Sequence, residues 1–315
     1  MAEGSGYNGK GIKKMAIEFD CIILGAGPAG MSASIYCARA NVSCCLIDTQ
    51  IAGGRPIGYL EIENYLGLGR TSTFDLIEKF REHVEAFDIS VFEGEEIQEV
   101  DLENKIVKTK NETFKAKAII IATGSRPKLL NVKGEEEFTG KGVHYCAICD
   151  GHFYKDKVVA VVGGGNSACE EALGLSKICK KVYIIEFTDK LNADAVTLEK
   201  IKEAKNIEVF TDCRVKEIVG EEKVKGIKLQ FSYVSNHEGY CGVDAVFPYI
   251  GMTANSEMFD VDKFPSGFIC SNEYMETSKK GVFVAGDVRA KVLRQVITAV
   301  ADGAIAGVQV SRYLQ

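Results

Sequence analysis

No apolar run in this sequence approaches the roughly 20 residues that a membrane-spanning helix requires. The first of them, CIIL at 21–24, stops well short, and the polar, glycine-rich start MAEGSGYNGKGIKK carries no secretory signal. The expectation is a cytoplasmic protein without a membrane partner. A basic stripe is also missing: 38 Lys and Arg are interspersed with 44 Asp and Glu for a net charge of −6, which argues against nucleic acid as a partner. Eleven cysteines spread along a chain with no secretory leader do not make a disulfide scaffold, and most read as reduced, buried, small apolar residues. No second CxxC accompanies Cys146 and Cys149. A four-ligand zinc site would therefore have to recruit His144 and His152, and no metal is expected.

What is present is a repeated α/β pattern. With 315 residues, 46% of them hydrophobic, the chain has material for two ordinary cores. Residues 1–14 read as a flexible extension ahead of Met15. The segment Glu18–Leu24 reads as a strand, GAGPAG as a phosphate loop and MSASIYCARA as a helix, followed by a strand that ends in Asp48. A helix is expected from Ser72 to about Phe87, with Phe74, Leu76, Ile77, Phe80 and Val84 at helical spacing. Short strands should flank Asn104 and Asn111, and KAIIIATG closes the section.

After the loop holding the paired cysteines, the pattern starts again with VVAVVGGG, NSACEEALGLSKI and KVYIIEF. The later run VFVAGDV and a helix from about Arg294 to Tyr313 lack a glycine loop of their own, so they return to the first domain. The expected division is 15–129 with 255–315, and an insertion at 130–254. The crossing points are expected near Pro127 and around Thr253 to Asn255.

Three constellations carry chemistry. In GAGPAG, Gly25, Gly27 and Gly30 are spaced for a tight turn, close approach of a pyrophosphate and close helix–strand packing, with Pro28 and Ala29 opening the helix. Asp48 follows Gly25 by 23 positions, where an acid can bond a ribose hydroxyl. An empty glycine turn is the bland alternative. The second constellation is Cys146-Ala147-Ile148-Cys149-Asp150, whose spacing closes a small reducible ring. Half a zinc site or two core cysteines are its alternatives. Third, Gly163, Gly165 and Ala168 form a second loop, with Glu186 again 23 positions after its first glycine.

Taken in order, GAGPAG, GGRPIGYLEIENYLG, ATGSRPK, CAICDG, GGGNSACEEA and GDVRAKVLRQVITAVADGAIAG resemble the low-molecular-weight thioredoxin reductases of bacteria, from about Phe19 to the C-terminus. The resemblance implies two Rossmann-like three-layer domains, an FAD domain split by an inserted nucleotide-binding-like domain that carries the redox-active CxxC, and a homodimer. It also implies cofactor contacts by Gly25, Gly27, Pro28, Ala29, Gly30 and Asp48, by Gly54 and Asn64 in a flavin-side loop, and by Thr123 and Gly124. Gly286 and Asp287 would meet the ribityl and phosphate region. Arg294, Gln295 and Val296 would stand at a helix start under the flavin ring. Asp287 has a plain cap as its alternative role. In the same way, Cys149 is implied to face the flavin, Cys146 to attack thioredoxin and Asp150 to handle the proton, with a solvated turn as the alternative for Asp150.

One departure concerns the electron donor. Glu186, Phe187, Thr188 and Asn192 stand where NADPH-linked members place a histidine and arginines that grip the 2′-phosphate. The pattern is closest to the clostridial ferredoxin-dependent flavin thioredoxin reductases, so ferredoxin is the expected donor. NADH, whose 2′-hydroxyl Glu186 can bond, and NADPH are alternatives, and a flavin-bound redox sensor is a distant one.

Overall fold

Strands that are apolar at every position, such as Cys21–Leu24, Cys44–Ile47 and Ala118–Ile121, have to be covered on both faces, and all twelve of these residues are buried. The computed structural model describes residues 15–58, 61–62, 64–231 and 238–315, with the backbone alone at Gly58, Glu61, Ile148, Cys149 and Glu238. The extension expected at 1–14 lies outside the described residues. The helices are α1 (Pro28–Arg39), α2 (Thr73–Glu85), α3 (Ala147–Asp150), α4 (Asn166–Ser176), α5 (Ala195–Glu203) and α6 (Val296–Tyr313). None of the described helices is long and apolar enough to cross a membrane.

The chain divides into two units. One takes the chain up to Gly54, Ile77–Gly124 and Ser256–Gln315, and the other takes Arg55–Leu76 and Ser125–Asn255. In the first, a five-stranded parallel sheet runs in the order Val282–Val284, Ala118–Ile121, Cys21–Leu24, Cys44–Ile47, Ser90–Phe92. One face of it, through Cys21, Ile23, Leu46, Ile120 and Phe283, packs with α1 and α6. These two helices lie so close that a Cβ on Gly303 would overlap the Ala29 carbonyl, and one on Gly307 would come 2.8 Å from the Tyr36 Cβ. A strand meander formed by Ile97–Asp101, Ile106–Thr109 and Thr113–Lys115 joins Ile17–Glu18, with Phe114 edge-on to Phe92 at 4.8 Å. Its turns fall at the two asparagines, as expected.

The second unit repeats the plan. Its parallel sheet runs Ile207–Phe210, Lys181–Ile185, Val158–Val162, Ala245–Pro248. Alternation along one strand sorts the layers: Val159 and Val161 face the side of α4, with Ala168 and Ala172, whereas Ala160 and Val162 face the antiparallel strands Cys213–Gly220 and Val224–Phe231, with Ile218 and Ile227. Each aliphatic side chain buried in this way contributes roughly 1.5–3 kcal/mol. The crossing segments Ser125–Pro127 and Met252–Ala254 pair antiparallel, and Arg126 Nη1 donates to Asn255 Oδ1 at 2.8 Å. Arg55–Leu76, which the sequence reading kept in the first domain, groups with this unit.

Candidate active site

In the first unit the glycine loop leads from the strand Cys21–Leu24 into α1. Gly25 has φ +107, open to glycine at little cost, and a Cβ there would overlap the Ala122 carbonyl and reach 3.1 Å from the Thr123 nitrogen. Gly27 is the N-cap of α1, with Pro28 at the first position, no side-chain cap and no acidic residue in the first turn. The first amides of a helix have no partner within it, so this end is free to receive an anion. Around it, a Cβ on Gly54 (φ +65) would stand 2.9 Å from the Gly27 Cα, and one on Gly286 2.7 Å from the Ala29 Cβ.

Asp48 is anchored by both oxygens: Oδ2 accepts the Ala26 N–H at 2.7 Å and Oδ1 the Gln50 N–H at 2.9 Å. Each oxygen retains a lone pair for a hydroxyl. Gly25, Gly27, Ala29, Asp48, Gly54, Thr123 and Gly286 thus gather at one helix start, bare of side chains and supplied with a carboxylate. That cradle fits the pyrophosphate and ribose of a dinucleotide such as FAD. Beside Gly124 (φ +68) a Cβ would meet nothing within 4 Å.

The other residues expected at the cofactor have these surroundings. Asp287 lies 3.5 Å from Lys291 Nζ, which also reaches Asp302 Oδ2 at 3.0 Å. Helix α6 begins at Val296, two residues later than expected, because Gln295 and Thr298 form a reciprocal capping box. Arg294 stacks over the Phe268 ring at 3.8 Å, and burial pulls its pKa down. Asn64 belongs to the second unit, in Arg55–Leu76.

In the second unit, Cys146 is in a disulfide, while nine other described cysteines are free. The side chain of Cys149 lies outside the described residues. Burial pushes Cys169, Cys179 and Cys213 up to about 11, so these thiols are poor nucleophiles. The expected loop around the cysteines is instead a helical turn, α3, continued by a 3₁₀ turn over Gly151–Tyr154, and Asp150 N–H closes it on the Cys146 carbonyl at 3.1 Å.

Asp150 Oδ2 lies 3.2 Å from His144 Nδ1, and His144 Nε2 lies 2.8 Å from the Tyr154 hydroxyl. His144 is thus engaged by protein groups, and His152 lies against Phe153. The turn is tied down from its other side, where the Ala147 N–H donates to the Tyr249 hydroxyl at 2.8 Å. Tyr249 also bonds Glu171, whose carboxyl is pushed up to about 7 by burial and by Glu170, against the pull of Tyr249 and Arg55. Tyr154, Glu171 and Tyr249 were missed by sequence reasoning: Tyr154 ends the 3₁₀ turn after the cysteines, Glu171 stands on α4 and Tyr249 follows the strand Ala245–Pro248, and no motif joins the three.

The second glycine loop is folded onto itself. Asn192 N–H donates to the Gly164 carbonyl at 2.7 Å, and Glu186 Oε1 accepts from Thr188 N–H at 2.8 Å and Thr188 Oγ1 at 2.7 Å. A Cβ on Gly164 would lie 2.6 Å from Glu186 Oε2. Phe187 is exposed and carries the Arg214 guanidinium 4.8 Å above its ring. This cation was not foreseen, because it comes from the strand Cys213–Gly220.

Residues 19–303 match the pyridine nucleotide-disulphide oxidoreductase family. The chain is 40% identical to the thioredoxin reductase of Listeria monocytogenes, over 94% of each chain. Among solved structures, that of thioredoxin reductase from Lactococcus lactis is similar with a TM-score of 0.87 at 32% identity, over 94% of this chain and 99% of that one. A ferredoxin-flavin thioredoxin reductase of Clostridium acetobutylicum is similar with a TM-score of 0.52 at 29% identity, over 94% and 98%. The chain belongs to the pyridine nucleotide-disulphide oxidoreductase family and, within it, to the thioredoxin reductases.

Proposed function

We propose that this protein is a flavin-dependent thioredoxin–disulfide reductase that works as a homodimer and draws its electrons from ferredoxin. The cofactor is FAD, which supplies two electrons when bound. The bare start of α1 and Asp48 bind its phosphates and ribose. Gly286 and Asp287 orient its middle, and Arg294 with the capped start of α6 supports the ring end. The observation that carries the reading is the Cys146 disulfide at the head of a helical turn whose last residue is Asp150. Cys149 takes the electrons, Cys146 attacks thioredoxin, and Asp150 holds or gives up the proton as sulfur leaves.

The donor assignment rests on the second glycine loop. A 2′-phosphate brought there meets the Glu186 carboxylate, and charge repulsion in a partly dry site costs several kcal/mol. One guanidinium stacked on Phe187 is a poor substitute for forked arginines. Glu186 accepts two hydrogen bonds from Thr188 on one oxygen, and its Oε2 as an acceptor for a ribose hydroxyl makes NADH, not NADPH, the competing donor. Ferredoxins near about −400 mV reducing thioredoxin near about −270 mV release roughly 6 kcal/mol for two electrons.

Anaerobic stopped-flow mixing with reduced ferredoxin, NADH and NADPH in turn, followed by flavin bleaching, tests the assignment. Ferredoxin is expected to bleach the flavin within the turnover time and the nucleotides not to. Rapid bleaching by NADH would refute the ferredoxin reading and leave the reductase reading standing.

A further inference from the structure

The carboxyl of Asp150 does not face solvent alone. His144 stands behind it, with only 11% of its side chain exposed against 31% for Asp150. Its backbone N–H is tied to the Val246 carbonyl at 3.0 Å, and its ring is stacked on Phe247 at 5.8 Å and 29°. The orientation leaves both ring nitrogens in use. A carboxylate accepts only, so Nδ1 donates to Asp150 and Nε2 accepts from the Tyr154 hydroxyl; a second proton on the ring reverses only the Tyr154 bond. The arrangement therefore holds either protonation state of the imidazole without moving a side chain.

His144, Asp150 and Tyr154 line one cavity of ≈ 530 Å³, together with Thr139, Tyr145 and Phe153. Two further titratable groups among the described residues near the histidine have partners of their own. Tyr145 OH donates to Glu135 Oε1 at 2.9 Å, and Asp244 Oδ2 accepts the Val158 N–H at 3.0 Å.

We propose that His144 is a positioning residue for thiol–disulfide exchange: it aims the Asp150 carboxyl and, with Tyr154, holds the proton that the enzyme dithiol releases until the departing thioredoxin sulfur takes it. The inference rests on the reductase reading above and adds a residue to it. In exchange, the Cys146 thiolate attacks one thioredoxin sulfur, the thioredoxin S–S bond breaks, and the second thioredoxin sulfur departs. Re-forming the enzyme disulfide then releases the first one. Two electrons and two protons leave the enzyme dithiol and the same number arrive on thioredoxin. No net proton is consumed, but each must wait on the protein between leaving one sulfur and reaching the other. A carboxyl, an imidazole and a phenol in series along one cavity provide that waiting place.

The test uses the FAD-loaded enzyme, reduced with dithionite and freed of excess, mixed in a stopped-flow cell with one of two oxidants. Oxidised thioredoxin has a leaving sulfur that needs a proton, whereas 5,5′-dithiobis(2-nitrobenzoate) releases a stable thiolate that needs none. General acid–base assistance contributes about 100-fold or more, and a variant that keeps the acid but loses its aim forfeits part of it. His144→Gln should slow oxidation by thioredoxin on the order of tenfold and change the rate with the aromatic disulfide by less than about twofold. Tyr154→Phe, which removes a single oxygen, should slow the same reaction selectively by a smaller factor and serves if the histidine variant does not fold. Equal slowing with both oxidants, or no slowing with thioredoxin, would overturn the proposal. If wild-type dithiol enzyme fails to reduce thioredoxin at all, the reductase reading itself falls, and that failure is recognised because it precedes any substitution.

Discussion

Glu171 is a single group whose titration should be visible in the stability of the whole protein. Its carboxyl is pushed from an ordinary 4.5 up to about 7, chiefly by burial and then by Glu170. Between those two values the folded chain holds a proton that the unfolded chain has lost. Stability from this group is therefore intact below pH 4.5 and falls as pH rises towards 7. The displacement corresponds to a loss of about 3 kcal/mol by pH 8, an upper figure because the side chain is only half-buried.

Glu171→Gln removes the charge and keeps an oxygen to accept from Tyr249. Thermal unfolding of the FAD-loaded wild type and variant, compared at each pH from 4.5 to 8.5, isolates the one group. The two proteins should coincide near pH 4.5, and the variant should become progressively more stable, by as much as about 3 kcal/mol at pH 8. A difference independent of pH, or a variant less stable at pH 8, would refute the reasoning.

Two further outcomes are expected. Cys146→Ser should abolish thioredoxin reduction while the remaining Cys149 thiolate gives a long-wavelength charge-transfer band with oxidised flavin; Cys149→Ser should lack that band, and absorbance spectra of the two variants decide whether the roles are reversed. Gly54→Ala puts a side chain in left-handed backbone and 2.9 Å from the Gly27 Cα, a strain of about 1–2 kcal/mol before any clash with the pyrophosphate, so the purified variant should show a lower ratio of flavin to protein absorbance.

The parts legible in the sequence are those where local chemistry has one answer. Gly25 and Gly30 sit where a side chain would collide with backbone, so their spacing announces the strand–loop–helix unit, and Asp48 follows at the distance one crossover sets. Helix α6 begins at Val296 because Thr298 and Gln295 cap each other, a reciprocal bond that a reading aimed at the flavin passed over. The surroundings of the cysteines were hidden for a different reason. Tyr249 is 102 residues from Ala147, and it arrives only because the strand Ala245–Pro248 lies beside Val158–Val162 in the sheet. Arg214 reaches Phe187 from the next strand but one along the chain, through a stacking contact that has no sequence spacing of its own.

The welding of α6 to α1 through Gly303 and Gly307 sets an order of events at the ribosome. The second unit is complete once Asn255 has emerged, whereas the first still lacks the edge strand Val282–Val284 and the helix that covers α1. At about 5–20 residues per second, the stretch Ser256–Gln315 takes about 3–12 s to synthesise. During that interval the buried face of α1, with Ala29, Ala33 and Cys37, has no partner from α6. The half that was begun first is thus the last to be finished, and a stop codon just before Val296 would remove the helix that covers α1 while sparing every residue of the half that carries the cysteines.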